Sequence, residues 1–144
     1  MSWREIRPIA VGIVRREGDE ILVQRYDGDD ETFFRPLGGG LEFGERADEA
    51  LMREFREELD EDVLPGERLA VLENVFEFEG EAGHEVVFVF EAHFANSDVY
   101  EREELAGVED DGTGAFTAQW EPVSRFTDGD AVLYPGGLPE LLRE

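Results

Sequence analysis

The sequence has 144 residues, 41% of them hydrophobic and 11% aromatic, and this composition is typical of a single folded domain over residues 1–144 rather than of a disordered acidic chain. Its 37 Asp and Glu residues outnumber 13 basic residues, all of them Arg, so the formal net charge is −24, which excludes the basic surface that nucleic acids and anionic membranes require. The absence of cysteine excludes disulfides and zinc–cysteine sites, and the absence of a membrane-spanning apolar run or a signal-peptide pattern predicts a cytoplasmic protein.

Two short strands are predicted near the amino terminus. The apolar runs over residues 9–15 and 20–25 are typical of strands, and Gly18-Asp19 between them favours a hairpin turn. Residues 26–40 then predict a loop that contains one short aromatic strand and ends in three glycines.

A helix is predicted from Arg46 to about Leu59. Leu51, Phe55 and Leu59 recur at i, i+4 and i+8, with Met52 at the border, so they form an apolar stripe that should pack on a sheet.

The second half of the chain predicts mainly strands. Long β-like segments cover residues 69–78 and 85–94, with a turn over 79–84 between them. A last strand is expected over 116–123 and a short closing helix over 136–144. Strands with two interspersed helices indicate a mixed sheet covered by helices, in the α/β or α+β class.

Three glutamates lie close together on the predicted helix. Glu54, Glu57 and Glu58 share one helical face, where each pair of carboxylates repels by about a few tenths of a kcal/mol. One interpretation is a solvated face of an acidic protein. The other is a metal site, in which a cation held by oxygen ligands offsets the repulsion.

The residues around these glutamates resemble a known family motif. Five residues separate Gly39 from Glu45, and seven more precede the segment REFREE at residues 53–58. This resembles the Nudix box, G-x5-E-x7-R-E-U-x-E-E-x-G-U with U apolar. The order of predicted elements is also similar to the Nudix fold, so the resemblance covers nearly the whole chain and implies an α/β/α sandwich with a mixed sheet between helices.

The sequence departs from the box at its end. Asp60 stands at the family glycine and Glu61 at the apolar position, unless a short insertion gives that position to Val63. A glycine would supply a left-handed helix terminus, a conformation that aspartate tolerates better than most residues.

The resemblance implies water attack at phosphorus on a nucleoside diphosphate linked to another group. This chemistry requires Mg²⁺ or Mn²⁺, which neutralises phosphoryl oxygens and lowers the pKa of the attacking water. The family match implies Glu54, Glu57 and Glu58 as metal ligands, with Glu54 or Glu57 also a candidate for deprotonating the water.

The other box residues have implied roles beside this catalytic set. Arg53 is expected to orient Glu45 or Glu54, the alternative being a surface ion pair. Glu45 also suits a helix start, where acids complement the helix dipole. The glycines are expected to turn the backbone tightly, with the Gly38 carbonyl as a further metal ligand. The expected phosphate-facing loop comprises Gly38, Gly39, Gly40 and Glu45.

Many family members add an acidic residue from a later loop. Gln119 occupies the place where we expect it, and glutamine cannot accept a proton at neutral pH. The acid would then come from elsewhere, and the candidates are Glu85, Glu101, Glu103 and Glu104.

The residues that select the substrate lie outside the box. The family's proline and tyrosine positions, which suggest ADP-ribose and dinucleoside polyphosphates, hold neither residue, so we favour a nucleoside di- or triphosphate with those two classes as alternatives. Several aromatic residues could stack a base or belong to the core: Phe33, Phe34, Phe76, Phe78 and Trp120. His84 in a surface turn and His93 on a strand are expected to have no catalytic role.

Two other classes of protein remain open. One is a Nudix-like sensor that binds a nucleotide without cleaving it, which the intact glutamates disfavour. The other is a non-enzymatic acidic interaction domain. For each class the sequence allows a homodimer as well as a monomer.

Overall fold

The computed structural model describes residues 5–28, 30–78, 80–109 and 114–143. Asp29 in the predicted loop, Glu79 in the predicted turn and Glu144 in the predicted closing helix lie outside these ranges. The strands are β1 (Ile6–Ile13), β2 (Arg15–Arg16), β3 (Glu20–Asp27), β4 (Thr32–Gly40), β5 (Val63–Phe78), β6 (Glu81–Phe94), β7 (Glu104–Val108), β8 (Ala115–Pro122) and β9 (Val132–Leu133). The helices are α1 (Ala47–Leu59), α2 (Ser124–Thr127) and α3 (Leu138–Leu142), with a 3₁₀ helix at Ser97–Glu101.

The strands form one mixed sheet in the order β5-β6-β1-β4-β3-β8-β7, with β2 beside β3 and β9 beside β4. The β1–β6 and β4–β9 pairs are parallel and the other pairs are antiparallel. Two hydrophobic clusters pack on the sheet, one with α1 and one with α2 and α3. The predicted class, a mixed sheet with helices packed on it, is confirmed. None of the helices in the described residues is long and apolar enough to cross a membrane.

Helix α1 matches its predicted bounds and its predicted packing. Leu51 and Phe55 are fully buried and Leu59 is nearly so, which confirms the apolar stripe. The helix ends at Asp60, whose φ of 56° and ψ of 39° give the left-handed terminus that the family glycine would supply. Val63 is buried in the same cluster as the stripe and provides the apolar contact after the helix.

The predicted hairpin is correct only around its turn. Arg15 and Arg16 of β2 pair with Ile21 and Glu20 across the turn. The body of β1, however, pairs with β4 and β6 rather than with β3. Strand partners depend on contacts far along the chain, which a local turn signal does not contain.

The three glycines extend a strand instead of forming the expected tight loop. Gly38, Gly39 and Gly40 end β4 and pair with Val11, Ala10 and Ile9. Gly38 has a φ of +155°, and a Cβ on it would lie 1.9 Å from the Ala10 carbonyl oxygen. Only glycine lets β4 approach β1 so closely.

The remaining differences concern the strands of the second half. Residues 81–84 belong to β6 rather than to a turn, so His84 is a strand residue. β7, β9, α2 and the 3₁₀ helix were not predicted. These elements are short, and β7 and β9 are defined by their pairing with β8 and β4.

The sheet curls strongly. In the strand order β4 and β5 are three positions apart, a separation of about 14 Å in a flat sheet. The ring centroids of Phe33 on β4 and Phe78 on β5 nevertheless lie only 5.4 Å apart. Curling therefore brings the side chains of these strands face to face at the Phe33 end of β4.

Candidate functional site

Arg53 is the centre of the hydrogen-bond network around α1. Its Nε donates to Glu45 Oε2 at 2.7 Å and its Nη2 donates to Glu45 Oε1 at 2.9 Å, a bidentate pair. Nη1 donates to Glu54 Oε1 at 3.0 Å and to Glu57 Oε2 at 3.2 Å. Nη2 also donates to the Gly40 carbonyl at 2.8 Å. One guanidinium thus joins the loop before α1, the helix and the end of β4.

Glu54 is buried rather than solvated. Its exposure is only 2%, and a Cβ placed on Gly39 would lie 2.3 Å from the Glu54 carboxyl carbon. The missing side chain of Gly39 therefore makes room for the carboxylate of Glu54. A buried carboxylate is costly unless it is compensated, and Arg53 Nη1 supplies a charge-assisted hydrogen bond to it. Glu54 is therefore not part of a solvated helix face.

Glu57 and Glu58 lie further out on the same helix. The Glu57 side chain is 47% exposed and Glu58 is half-buried. Within the part of the chain that the structure describes, no three Asp, Glu or His side chains are close enough together to hold a metal ion. The donor set fits Mg²⁺ or Mn²⁺ chemically, since all its ligands are hard oxygens. Arg53 holds two of the three carboxylates, so binding would require the exposed Glu57 to turn away from it.

The Nudix domain model matches residues 6–137, almost the whole chain. The chain belongs to the Nudix family. The resemblance of residues 39–58 to the family's box is thereby confirmed. No curated protein matches the chain.

Solved structures of Nudix proteins share its fold at low sequence identity. The MutT protein from Methanosarcina mazei is 14% identical, with 99% of this chain and 94% of that chain covered and a TM-score of 0.64. The MutT NUDIX hydrolase from Burkholderia pseudomallei is 20% identical, with 97% and 98% covered and a TM-score of 0.61. An ADP-ribose pyrophosphatase from Streptococcus suis is 14% identical, with 96% and 88% covered and a TM-score of 0.59.

Gln119 does not lie beside the box helix of this Nudix domain. Ala118 and Trp120 are buried in the cluster that contains α1, so Gln119 between them points to the opposite face of β8. There its amide hydrogen-bonds to Glu121. The expectation that Gln119 marks the late catalytic acid is therefore wrong, because strand alternation turns it away from the helix.

The alternative acids named from sequence are also poorly placed. Glu104 pairs with Gln119 across β7 and β8 and therefore shares its face. Glu101 and Glu103 are exposed. Glu85 is only 5% exposed, and its Oε1 accepts a hydrogen bond from Arg35 Nη2 at 2.9 Å.

Glu109, which the sequence analysis missed, is close to the box helix. It follows β7, and a Cβ on Gly107 of that strand would lie 3.0 Å from the Glu58 carbonyl oxygen. Burial raises the pKa of Tyr26 to about 12, and the negative charges of Glu109 and Glu58 contribute to the rise. Gln24 accepts a hydrogen bond from the Tyr26 hydroxyl and donates one to Glu109, so Glu109 lies beside this phenol. The useful sequence signal was the acidic stretch just before β8, which composition alone presented as solvated surface.

A cleft runs from the glycine end of β4 to an aromatic pocket. One cavity of about 110 Å³ is lined by Gly38, Gly39, Tyr26 and Arg35, among others. A second cavity of about 140 Å³ shares Tyr26 and Arg35 with it. The aromatic residues that line this second cavity, here called the aromatic pocket, are Tyr26, Phe33, Phe76, Phe78 and Tyr134.

The aromatic residues singled out from sequence divide between this pocket and the core. Phe33, Phe76 and Phe78 line the pocket. Phe34 and Trp120 belong to the two hydrophobic clusters instead. Tyr26 and Tyr134 were not anticipated, because their residue type does not reveal which strands will face each other.

The Arg53–Glu45 pair makes stability depend on pH. The hydrogen bond from Arg53 lowers the pKa of the Glu45 carboxyl below its ordinary value of 4.5. Since the folded protein holds the charged form more tightly, this stabilisation is fully present above pH 4.5 and is lost as the pH falls through the lowered value.

We predict that Glu45→Gln lowers the free energy of unfolding at pH 7 by about 1 to 2 kcal/mol, because charge-assisted hydrogen bonds are lost. The difference from the wild type should shrink as the pH falls below 4.5. Urea unfolding of both proteins at a series of pH values measures this difference in the free energy of unfolding. Glu42→Gln is the control, since Glu42 is 69% exposed and 3.8 Å from Arg53 Nε. A deficit for Glu45→Gln that does not change with pH would contradict the ionic origin.

Proposed function

We propose that this Nudix protein is a metal-dependent hydrolase of the diphosphate linkage in nucleoside di- or triphosphates. The observation that carries the proposal is a pair of adjoining cavities that share Tyr26 and Arg35, one lined by Gly39, which lies against Glu54, and the other being the aromatic pocket. Aromatic side chains stack nucleobases, and a carboxylate cluster suits divalent cations that bind phosphates. The cleft thus offers a site for each end of a nucleotide.

In this proposal Glu54, Glu57 and Glu58 hold Mg²⁺ or Mn²⁺, and Gly38 supplies a carbonyl ligand. When bound, such an ion supplies positive charge to the phosphoryl oxygens and favours deprotonation of water. Arg53 fixes Glu54 and Glu45 so that the buried carboxylate keeps one orientation. Water forms the new bond to phosphorus, the bridging P–O bond breaks, and the departing phosphate keeps its electron pair.

Glu109 is the proposed acceptor of the water proton. Gly107, two residues before Glu109, lies against the Glu58 carbonyl oxygen, which supports this proposal. Glu109 Oε1 also accepts a hydrogen bond of 3.5 Å from Gln24 Nε2. A carboxylate in this position can take a proton from water while the helix glutamates serve the metal.

Activity is predicted to require divalent metal, because the acidic cleft of a chain with a net charge of −24 would otherwise repel a polyphosphate. A panel of nucleotides incubated with Mg²⁺ and analysed by chromatography should show cleavage that excess EDTA abolishes. EDTA saturated with Mg²⁺ in advance is the control. Undiminished turnover in excess EDTA would contradict the proposal, and binding without cleavage would identify a sensor.

Glu58→Gln is predicted to lower kcat by about two orders of magnitude or more while the fold is kept, because a metal ligand or charge partner of the transition state is lost. Steady-state kinetics measures kcat, and a thermal melt tests whether the fold is kept. Asp48→Asn on the same helix is the matched control, since its side chain is 45% exposed in the first turn. If Glu58→Gln kept most of its activity, Glu58 would belong to the solvated face.

Glu109→Gln is predicted to lower kcat by about 10²- to 10⁴-fold, the usual contribution of a positioned general base, and steady-state kinetics measures the loss. Glu104→Gln provides the control on the adjoining strand, with the same change of charge and a side chain on the far face. A Glu109→Gln enzyme with the wild-type rate would leave the helix carboxylates as the complete catalytic set.

A further inference from the structure

Arg7 on β1 is an unusual cation in this protein. The chain has 37 acidic residues for 13 arginines, so carboxylates are available almost everywhere on its surface. Most arginines in the described ranges pair with a carboxylate, as Arg35 does with Glu85. The Arg7 side chain has neither an ion pair nor a hydrogen bond within the described part of the chain.

The position of Arg7 is the second observation. It lines the same cavity as Gly38, Gly39 and Arg35, and Gly39 lies against the Glu54 carboxylate of the box helix. Its Nη2 would lie 3.3 Å from a Cβ placed on Gly40, so the guanidinium lies against the glycine backbone. The carboxylate opposite it in the β1–β6 register is Glu85, which is already bonded to Arg35.

This arrangement leaves a guanidinium that is free to bind an anion. Arg35 is largely neutralised by the buried Glu85, whereas no ion pair or hydrogen bond with the described residues occupies the donors of Arg7. A guanidinium presents paired N–H donors that match two phosphate oxygens, and such charge-assisted hydrogen bonds are strong. In a cleft flanked by carboxylates, one unpaired cation also lowers the repulsion of an entering polyphosphate.

We infer that Arg7 binds the phosphate chain of the substrate, on the side away from the helix carboxylates. The inference rests on the proposed function, because it assigns a contact within that substrate's site. Arg7 is a substrate-binding residue in this assignment and has no part in proton transfer. It therefore contributes to ground-state and transition-state binding alike, and its loss affects KM rather than kcat.

The test uses methylenediphosphonate, a diphosphate analogue whose P–CH₂–P bridge cannot be hydrolysed, with Mg²⁺ in isothermal titration calorimetry. Arg7→Gln should weaken its binding about tenfold, as the loss of a charge-assisted contact predicts. Arg7→Lys should recover part of the affinity, since the charge returns without the paired donors. Arg68→Gln is the matched control, because Arg68 is an exposed arginine on β5 without an ion pair in the described residues and outside the cleft lining.

Nucleotide turnover separates this inference from the proposed function. Arg7→Gln should raise KM about tenfold with kcat within about a factor of two, while Arg68→Gln changes neither by more than about a factor of two. If the wild type cleaves nucleotides and the two variants behave alike, the role of Arg7 is overturned and the proposed function stands. If the wild type binds the diphosphonate through Arg7 but cleaves no nucleotide, the anion site stands and the hydrolase proposal fails. If the wild type neither binds nor cleaves, both are overturned.

Discussion

One guanidinium organises the candidate site. Arg53 makes hydrogen bonds to three carboxylates and to the Gly40 carbonyl, and these groups come from the loop before α1, the helix itself and β4. Without this cation, Glu45, Glu54 and Glu57 would repel one another, and Glu54 would be a buried charge without compensation. Its bond to Glu45 raises the pKa of Arg53, so the guanidinium stays charged. The carboxylates of the helix can lie close together because the positive charge of Arg53 compensates their repulsion.

The glycines of β4 complete this arrangement because they have no side chains. Gly39 leaves space for the carboxylate of Glu54, and Gly38 lets β4 approach the backbone of β1. The same strand continues to Arg35 and Phe33, which line the cleft. A single strand thus connects the carboxylates to the aromatic pocket, and the curl of the sheet brings β5 and β6 over its other end.

The excess of acidic residues over arginines determines how most arginines of this protein are paired. Acidic residues dominate the surface, so most arginines are held by ion pairs that are worth little individually. Three arginines near the box and the cleft differ in their partners: Arg53 orients carboxylates, Arg35 compensates the buried Glu85, and Arg7 has no ion pair within the described ranges.

The sequence by itself determined the helix, its apolar stripe and the box that resembles the family motif. These features depend on residues within one short segment, where spacing along the chain translates directly into geometry. Only the tertiary structure decided that Glu54 is buried while Glu57 is exposed, that β1 pairs with β4 and β6, and that Glu109 rather than Gln119 lies near the helix. Those outcomes depend on which distant strands pair, on the face that each side chain takes once register is set, and on the curl of the whole sheet. No local pattern in the chain encodes them.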